Sequence, residues 1–404
     1  MTTSWPVLLG TALALSSVPA LLASTYLGVL AIVARRRAAP GIRGMSTTRF
    51  DVIVPAHNEE GGIGSTLASL KSVVYPSELV RVIVVADNCT DDTAARARAA
   101  GALVLERWDP ERRGKGYAVA HGVEASLAHG FADAVAVVDA DTTVSTNLLA
   151  AFDAGVSAGH DALQAHYGVR NPNDSRRTRL ASLGFALFHG VRSAARERLR
   201  LSCGLRGNGM CFRTALLRRV PPRAFSVAED VEYGIHLGLE GVRVAYVGEA
   251  QVVGEMPTKS DASRAQRERW EGGRRALARQ YIPALLRRAV ARRDAVMLDL
   301  ALDLLVPPLS RVVAWIIVGW TLSAVALIWT GSARLALALW TAAALSILAY
   351  IVRGCTMSQL GVRSAGDLVW GPAYMLWKLS VSRRPASAGD EWVRTIREPS
   401  RGIR

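Results

Sequence analysis

The chain predicts an α/β domain with a mostly parallel sheet, flanked by transmembrane and interfacial helices. Three observations carry that reading. Short β-branched runs alternate with helical periodicities between residues 50 and 168, the pattern of strand–helix–strand units. Three of those strands end in polar clusters: Pro55-Ala56-His57-Asn58-Glu59-Glu60, Asp87-Asn88-Cys89-Thr90-Asp91-Asp92 and Asp139-Ala140-Asp141. Hydrophobic residues make up 50% of the 404 and gather at the N-terminus and after Val296, which leaves a mixed, globular-looking middle.

The membrane elements come first. Trp5–Val33 is a long run without a charge, followed at once by Arg35, Arg36 and Arg37. A cleaved signal peptide carries its basic residues before the apolar run, so a retained helix is expected. The basic flank places its C-terminal end, and with it the middle domain, on the cytoplasmic side. Val312–Trp329 and Leu335–Val352 read as an antiparallel pair of spans joined at Thr330-Gly331-Ser332, with Arg311 and Arg353 at the end away from that turn. Three spans leave the C-terminus inside, in agreement with a tail that carries Arg383, Arg384, Arg394, Arg397, Arg401 and Arg404. Ala295–Leu305 holds Asp299 and Asp303 and suits an interfacial helix. Leu368–Val381, with Pro372 and Lys378, reads as interfacial or re-entrant, and the basic flanks argue against a fourth crossing.

Within the middle domain, Asp51–Pro55 is the first strand and Ile63–Val73 the first helix. Arg81–Ala86 follows as a strand, then the helix Thr93–Ala100, capped by Asp91 or Asp92 and ended by Gly101. Ala102–Leu105 is a third strand, and the helix Tyr117–His129 opens after Gly114-Lys115-Gly116 and closes at Gly130. The next strand, Ala134–Asp141, is apolar through Val138 and ends on two carboxylates. Asn147–Ala158 reads as a helix, Asp161–Gly168 as a strand and Arg176–Arg200 as one long Arg-rich amphipathic helix. Gly204–Phe212 is a Gly-rich loop entering a strand, and Val231–Glu240 is a helix. Ala262–Gln280 is a further helix, loosened at Gly272-Gly273.

In a parallel sheet the three polar strand ends converge on one edge, where open α/β sheets bind ligands. Asp139 and Asp141 repel each other unless a cation sits between them. Their oxygens suit Mg²⁺ or Mn²⁺, whose shells are commonly shared with substrate phosphates. A solvated turn is the alternative. Lys115 between two glycines is suited to reach a phosphate. Glu229 and Asp230 precede a helix, whose dipole keeps carboxylates ionised and usable as a base; simple capping is the alternative. Gln266, Arg269 and Trp270 fall at i, i+3 and i+4 on one helix face: an amide, a guanidinium suited to a diphosphate and an aromatic plane.

The formal charge of +15 is carried almost wholly by arginine, the lysines being Lys71, Lys115, Lys259 and Lys378. Its clustering beside apolar spans, notably from Arg274 to Arg293, favours anionic membrane lipids. No nucleic-acid recognition motif accompanies it. Neither GxGxxG after the first strand nor GxxxxGK[ST] occurs, which disfavours dinucleotide and P-loop chemistry. Cys89, Cys203, Cys211 and Cys355 form no CxxC pattern and no disulfide framework.

The ordered set PAHNEE, DNCTDDT, GKG, DAD, GNG, AED and QRERW, over roughly residues 50–275, resembles the membrane-bound family 2 glycosyltransferases of the inverting GT-A type. That group includes cellulose, hyaluronan and chitin-oligosaccharide synthases and their non-processive relatives. The resemblance implies a nucleotide-sugar donor, UDP being the expected nucleotide, and a lipid-linked or glycan acceptor. Ala56, Asn58, Glu59 and Asp87 would then hold base and ribose, with Lys115 and Asp139 beside the phosphates. Asp139 and Asp141 would bind the metal. Asp230 would be the general base, with Glu229 nearby. Gln266, Arg269, Trp270, Gly207 and Asn208 would grip diphosphate and acceptor.

The implied layout is a membrane helix over residues 1–38 and a cytoplasmic catalytic domain over 48–260. The QxxRW and interfacial helices would fill 261–310, two spans 311–353, and an interfacial segment with a basic tail 354–404. A bacterial inner membrane is the expected location. One departure stands out. Polymerising members usually carry Thr or Ser where this chain has Ala228. With only three spans to surround a glycan, that favours limited transfer over processive polymer synthesis.

Overall fold

The computed structural model describes residues 5–35, 46–258, 260–371 and 375. Arg36, Arg37, Lys259 and the expected basic tail lie outside them, as does nearly all of the expected segment after Gly371. The chain runs α1 (Trp5–Val33), β1 (Phe50–Ala56), α2 (Ile63–Lys71), β2 (Val80–Asp87), α3 (Thr93–Ala99), β3 (Leu103–Arg107), α4 (Lys115–His129), β4 (Ala134–Val137), β5 (Thr142–Val144), α5 (Leu148–Ser157) and β6 (Ala162–Val169). It continues with α6 (Arg176–Phe185), α7 (Arg192–Arg198), β7 (Met210–Arg213), α8 (Thr214–Arg219), α9 (Glu229–Leu239), β8 (Val244–Gly254), α10 (Ser260–Arg292), α11 (Ala295–Leu305), α12 (Leu309–Thr330) and α13 (Arg334–Met357).

The strands form one sheet in the order β3-β2-β1-β4-β7-β6-β8-β5. β3, β2, β1 and β4 are mutually parallel, and β6 pairs parallel with β8. β7 runs antiparallel between β4 and β6, and β5 antiparallel beside β8. Ile53 lies abreast of Ile83 on one side and Val137 on the other. That register brings the ends of β1, β2 and β4 to one edge. Because β7 is antiparallel, with Met210 opposite Val137, the loop before it arrives at the same edge.

Side chains alternate between the two faces, as a pleated sheet requires. Val52, Val54, Ala134 and Ala136 face one core with Leu67, Leu148 and Phe152. Ile53, Val85, Val135 and Val137 face the other, which continues without a break into Leu27, Leu30, Trp340 and Tyr350 of the apolar helices. The core beneath the sheet and the bundle of apolar helices are thus one hydrophobic body.

Among the described residues, three helices are long and apolar enough to cross a membrane: α1, α12 and α13, of 29, 22 and 24 residues. Gly319 of α12 marks how closely the second pair packs, since a Cβ there would fall 2.2 Å from the Trp340 ring. Gly331, at φ +67°, closes α12 as expected.

Two expectations change. The Arg-rich helix is not uniform: a π-helical turn, Ala186–Val191, separates α6 from α7. α10 is not interrupted at Gly272-Gly273 but runs unbroken for 33 residues. A Cβ on Gly273 would lie 3.0 Å from the Ala228 Cβ, so that glycine serves close approach rather than a break. At the start of α3 Asp92 occupies the N-cap position without a side-chain hydrogen bond, and Asp91 supplies one instead, its Oδ1 accepting from the Thr93 N–H at 3.0 Å. The sequence reading also passed over β8, which completes the far half of the sheet.

Candidate active site

The first two polar clusters are stitched together at the sheet edge. Asn58 and Asn88 both sit in the left-handed region, at φ +54° and +49°, a conformation uncommon outside glycine and often found at functional sites. The Asn58 Oδ1 accepts from the Thr90 N–H at 2.8 Å, and the Glu59 N–H donates to Thr93 Oγ1 at 2.8 Å. His57 Nδ1 meets the Asp87 carbonyl at 2.7 Å. Ala56 is buried beneath them. Asp87 itself is buried. Its Oδ1 takes a hydrogen bond from Arg107 Nη1 at 2.6 Å, while its Oδ2 has no partner among the described residues. A buried carboxylate oxygen left open in this way is ready for an N–H donor from outside the chain.

The acidic residues gather around Lys115, at the start of α4. Lys115 Nζ lies 2.5 Å from Asp139 Oδ1, 3.7 Å from Glu229 Oε1 and 2.5 Å from the Gly207 carbonyl, to which it donates. Gly207 adopts φ +78°, and a Cβ there would stand 3.3 Å from Asp230 Oδ2 and 3.4 Å from Lys115 Nζ. Only glycine lets the loop pass between acid and ammonium. Asn208 locks the loop to the end of β4: its Oδ1 accepts from the Asp139 N–H at 3.1 Å and its Nδ2 donates to Thr142 Oγ1 at 2.7 Å. Gln164 braces the loop from below, donating to the Asn208 carbonyl and accepting from the Arg206 N–H.

Burial raises the pKa of Asp139, Glu229 and Asp230, opposed in each by Lys115. Glu229 is pushed up to about 7, with Asp230 adding to the effect. A small cavity of about 30 Å³, lined by Val119, Met210, Phe212 and Tyr233, gives Glu229 and Asp230 an apolar wall. Burial works against the Lys115 ammonium, but Asp139, Glu229 and Asp230 outweigh it and raise its pKa. One ammonium therefore serves a group of four carboxylates, counting Asp141, whose charge acts on Asp139.

α10 borders the same site. Burial lowers the Arg269 pKa, and the charge of Glu229 opposes that shift, so the guanidinium stands within reach of the acidic cluster. Trp270 is 42% exposed, 6.2 Å between ring centroids from Phe185, and Gln266 is partly exposed. Sequence reasoning missed several neighbours. Arg107 orders Asp87, and its guanidinium lies 5.6 Å from the Tyr117 ring. Tyr117 in turn stacks on Phe225 at 4.2 Å. Tyr167 lies in the field of Asp139 and Asp141 and joins Phe185 and His189 in an aromatic cluster. No short motif marks these residues.

Comparison with known proteins gives the class to which this chain belongs. A profile described as Glycosyltransferase like family 2 matches residues 48–273, more than half of the chain. The chain belongs to that family and is a glycosyltransferase with a GT-A fold. The 4,4'-diaponeurosporenoate glycosyltransferase of Staphylococcus aureus is 40% identical over 92 residues, 23% of this chain. The matched stretch is 24% of that relative's length. Among solved structures, the mannosyltransferase PcManGT from Pyrobaculum calidifontis, in complex with GDP-Man and Mn²⁺, superposes with a TM-score of 0.54 at 21% identity. The superposition covers 90% of this chain and 98% of that one.

Proposed function

We propose that the enzyme moves a sugar from a nucleoside diphosphate sugar, with UDP as the expected nucleotide, to a hydroxyl of a membrane-associated lipid-linked or glycan acceptor, with inversion at the anomeric carbon. The observation that carries this reading is the set of carboxylates gathered from β4 and α9 around Lys115.

The donor set fits a divalent cation. Asp139 and Asp141 are hard oxygen ligands, and the cluster holds more negative charge than Lys115 balances. Mg²⁺ and Mn²⁺ take one or two carboxylates and complete their shells with water and phosphate oxygens. When bound there, the cation offsets charge on the leaving diphosphate.

The chain's own residues supply the rest. Asp87 Oδ2 receives an N–H of the base, with Ala56, Asn58 and Glu59 around base and ribose. Lys115 and Arg269 offset charge on the diphosphate. Asp230 takes the proton of the acceptor hydroxyl as the sugar is attacked from the side opposite the diphosphate. Burial raises the proton affinity of Asp230, and Lys115, which Glu229 shares, opposes that rise. Trp270 offers a face to the acceptor, with Gln266, Gly207 and Asn208 at its margin.

The membrane-bound synthase group carries the same DxD, ED and QxxRW residues, and this supports the inverting assignment. Three spans and the absent hydroxyl at Ala228 favour single or limited transfer over a processive synthase, as does the lack of wall for a glycan channel. The position of Arg35 after α1 and of Arg353 near the end of α13 supports a catalytic domain on the cytoplasmic face of a bacterial inner membrane, in contact with anionic lipids. The test is Asp230→Asn: sugar transfer is lost while nucleotide binding remains. Turnover at the wild-type rate would remove Asp230 from the role of base. Product length under excess donor separates limited transfer from polymer synthesis.

A further inference from the structure

A second charged cluster lies beneath the π-helical turn, where the domain meets the membrane helices. Arg196, 1% exposed, reaches Asp299 Oδ2 at 2.8 Å and Asp303 Oδ1 at 2.6 Å. Arg192 reaches the same Asp303 oxygen at 2.9 Å, and Arg274 reaches Asp303 Oδ2 at 3.1 Å. Arg206 is 7% exposed, and among the described residues no carboxylate pairs with it. It donates to the Cys203 carbonyl at 2.7 Å, and its Nε is buried with no hydrogen-bond partner among the described residues. Four buried or half-buried guanidiniums therefore face two carboxylates. Arginine does not escape such a position by losing its proton. Burial lowers the Arg206 pKa to about 10, yet the group stays charged at neutral pH. A buried charge of this kind calls for a counterion.

One side of the cluster reaches the surface, where Arg274 keeps 21% of its side chain exposed. Arg206, Arg192 and Arg274 surround the Phe188 ring at 4.3, 4.8 and 5.4 Å from its centroid, and Phe188 is partly exposed. Beside it the His189 Nδ1 is buried and has no partner among the described residues. Burial, with Arg206 next in weight, holds His189 neutral, so that nitrogen is free to accept or donate according to tautomer.

We propose that this side binds an anionic head group, phosphate or carboxylate, of the acceptor lipid, with Arg206 and Arg274 as its cationic contacts and His189 as a neutral hydrogen-bonding partner. The assignment of the lipid as acceptor rests on the transferase reading above. Two placements support it. Arg206 directly precedes Gly207 and lowers the proton affinity of Asp230, so the cluster adjoins the reacting end. Arg274 lies one turn beyond Trp270 on the same face of α10. The lipid chain has a path as well: α11 turns Asp299 and Asp303 inward while Leu298, Leu302 and Leu305 stay 42%, 37% and 52% exposed, and Tyr26 and Tyr350 of the membrane helices close the far side of the cluster.

The experiment uses the full chain in neutral detergent and measures equilibrium binding of four probes: dodecyl phosphate, dodecanoate, dodecanol and inorganic phosphate. Dodecyl phosphate and dodecanoate bind, and dodecanol and inorganic phosphate bind far more weakly. Arg206→Gln weakens dodecyl phosphate by roughly 30-fold or more, the loss expected when one side of a desolvated charge pair is removed. Arg219→Gln, at an exposed arginine of α8, leaves that binding unchanged. Equal binding of dodecanol overturns the anion site, and inorganic phosphate binding as tightly as the lipid overturns the lipid head group. Unchanged affinity in Arg206→Gln overturns the residue assignment. The four-probe comparison on the unaltered protein stands even if the variant fails to fold. Mn²⁺-dependent binding of UDP, measured by calorimetry without any lipid, reads the donor site of the transferase alone. Its absence in the unaltered protein counts against the proposed function and not against the anion site.

Discussion

Two charge clusters adjoin the loop at residues 203–209, and they are unbalanced in opposite directions. At the sheet edge, Asp139, Asp141, Glu229 and Asp230 surround one ammonium, and Lys115, Asp139 and Glu229 keep 17%, 25% and 19% of their side chains exposed. Beneath the π-helical turn, four guanidiniums share Asp299 and Asp303, and the Arg196 and Arg192 side chains keep 1% and 6%. The first cluster remains reachable, so its missing positive charge can arrive and leave with each substrate. The second is enclosed by α1, α11 and α13 and ties those helices to the domain. Only its Arg274 and Phe188 side reaches the surface.

The largest test of that contrast is removal of divalent cations. A chelator should stop transfer entirely, and Mn²⁺ or Mg²⁺ should restore it, in an assay of sugar incorporation. Transfer that persists in chelator would mean that Lys115 alone balances the acidic cluster. Next comes Asp230→Asn, expected to lower kcat by about 10²- to 10⁴-fold, the usual contribution of a positioned base. Calorimetric titration with nucleotide should show binding retained.

The sealed cluster should respond in stability instead. Asp303→Asn leaves Arg192, Arg196 and Arg274 short of a partner and should cost about 3–5 kcal/mol, as for other broken buried pairs. Thermal unfolding in detergent measures it, and an unchanged midpoint would show that the cluster is hydrated.

The smallest effect concerns pH. Glu229 binds a proton more tightly folded than unfolded, its pKa moving from 4.5 to about 7. Its contribution to stability is therefore full below pH 4.5 and is lost as pH rises through about 7. Unfolding midpoints of the cation-free protein should fall across that window, and Glu229→Gln should flatten the slope. Transfer runs the other way, weakening below neutrality as the raised carboxylates take up protons.

Much of this was legible in the chain. Strand and helix alternation through residue 168 follows from periodicity, and the long apolar helices α1, α12 and α13 from length and composition, because both are local properties. The residues Asp87, Lys115, Asp139, Glu229 and Asp230 were recognisable from their places at strand ends and helix starts, which register then brings to one edge. The gathering of Lys115 with acids 24 and 114 positions away is a consequence of β4 pairing with both β1 and β7. No local signal encodes that pairing.

What the sequence by itself determined is therefore the menu of elements, the family and the chemical types at the site. Tertiary structure alone decided the rest. Gly273 looked like a helix breaker until Ala228 was found against it. Asp299 and Asp303 looked like the polar face of an interfacial helix, and instead they point inward to Arg192, Arg196 and Arg274. An arginine or aspartate carries the same charge in every sequence context. Whether that charge meets water, a partner or an unfilled opening depends on which distant elements pack around it, and that is settled only when the chain has folded.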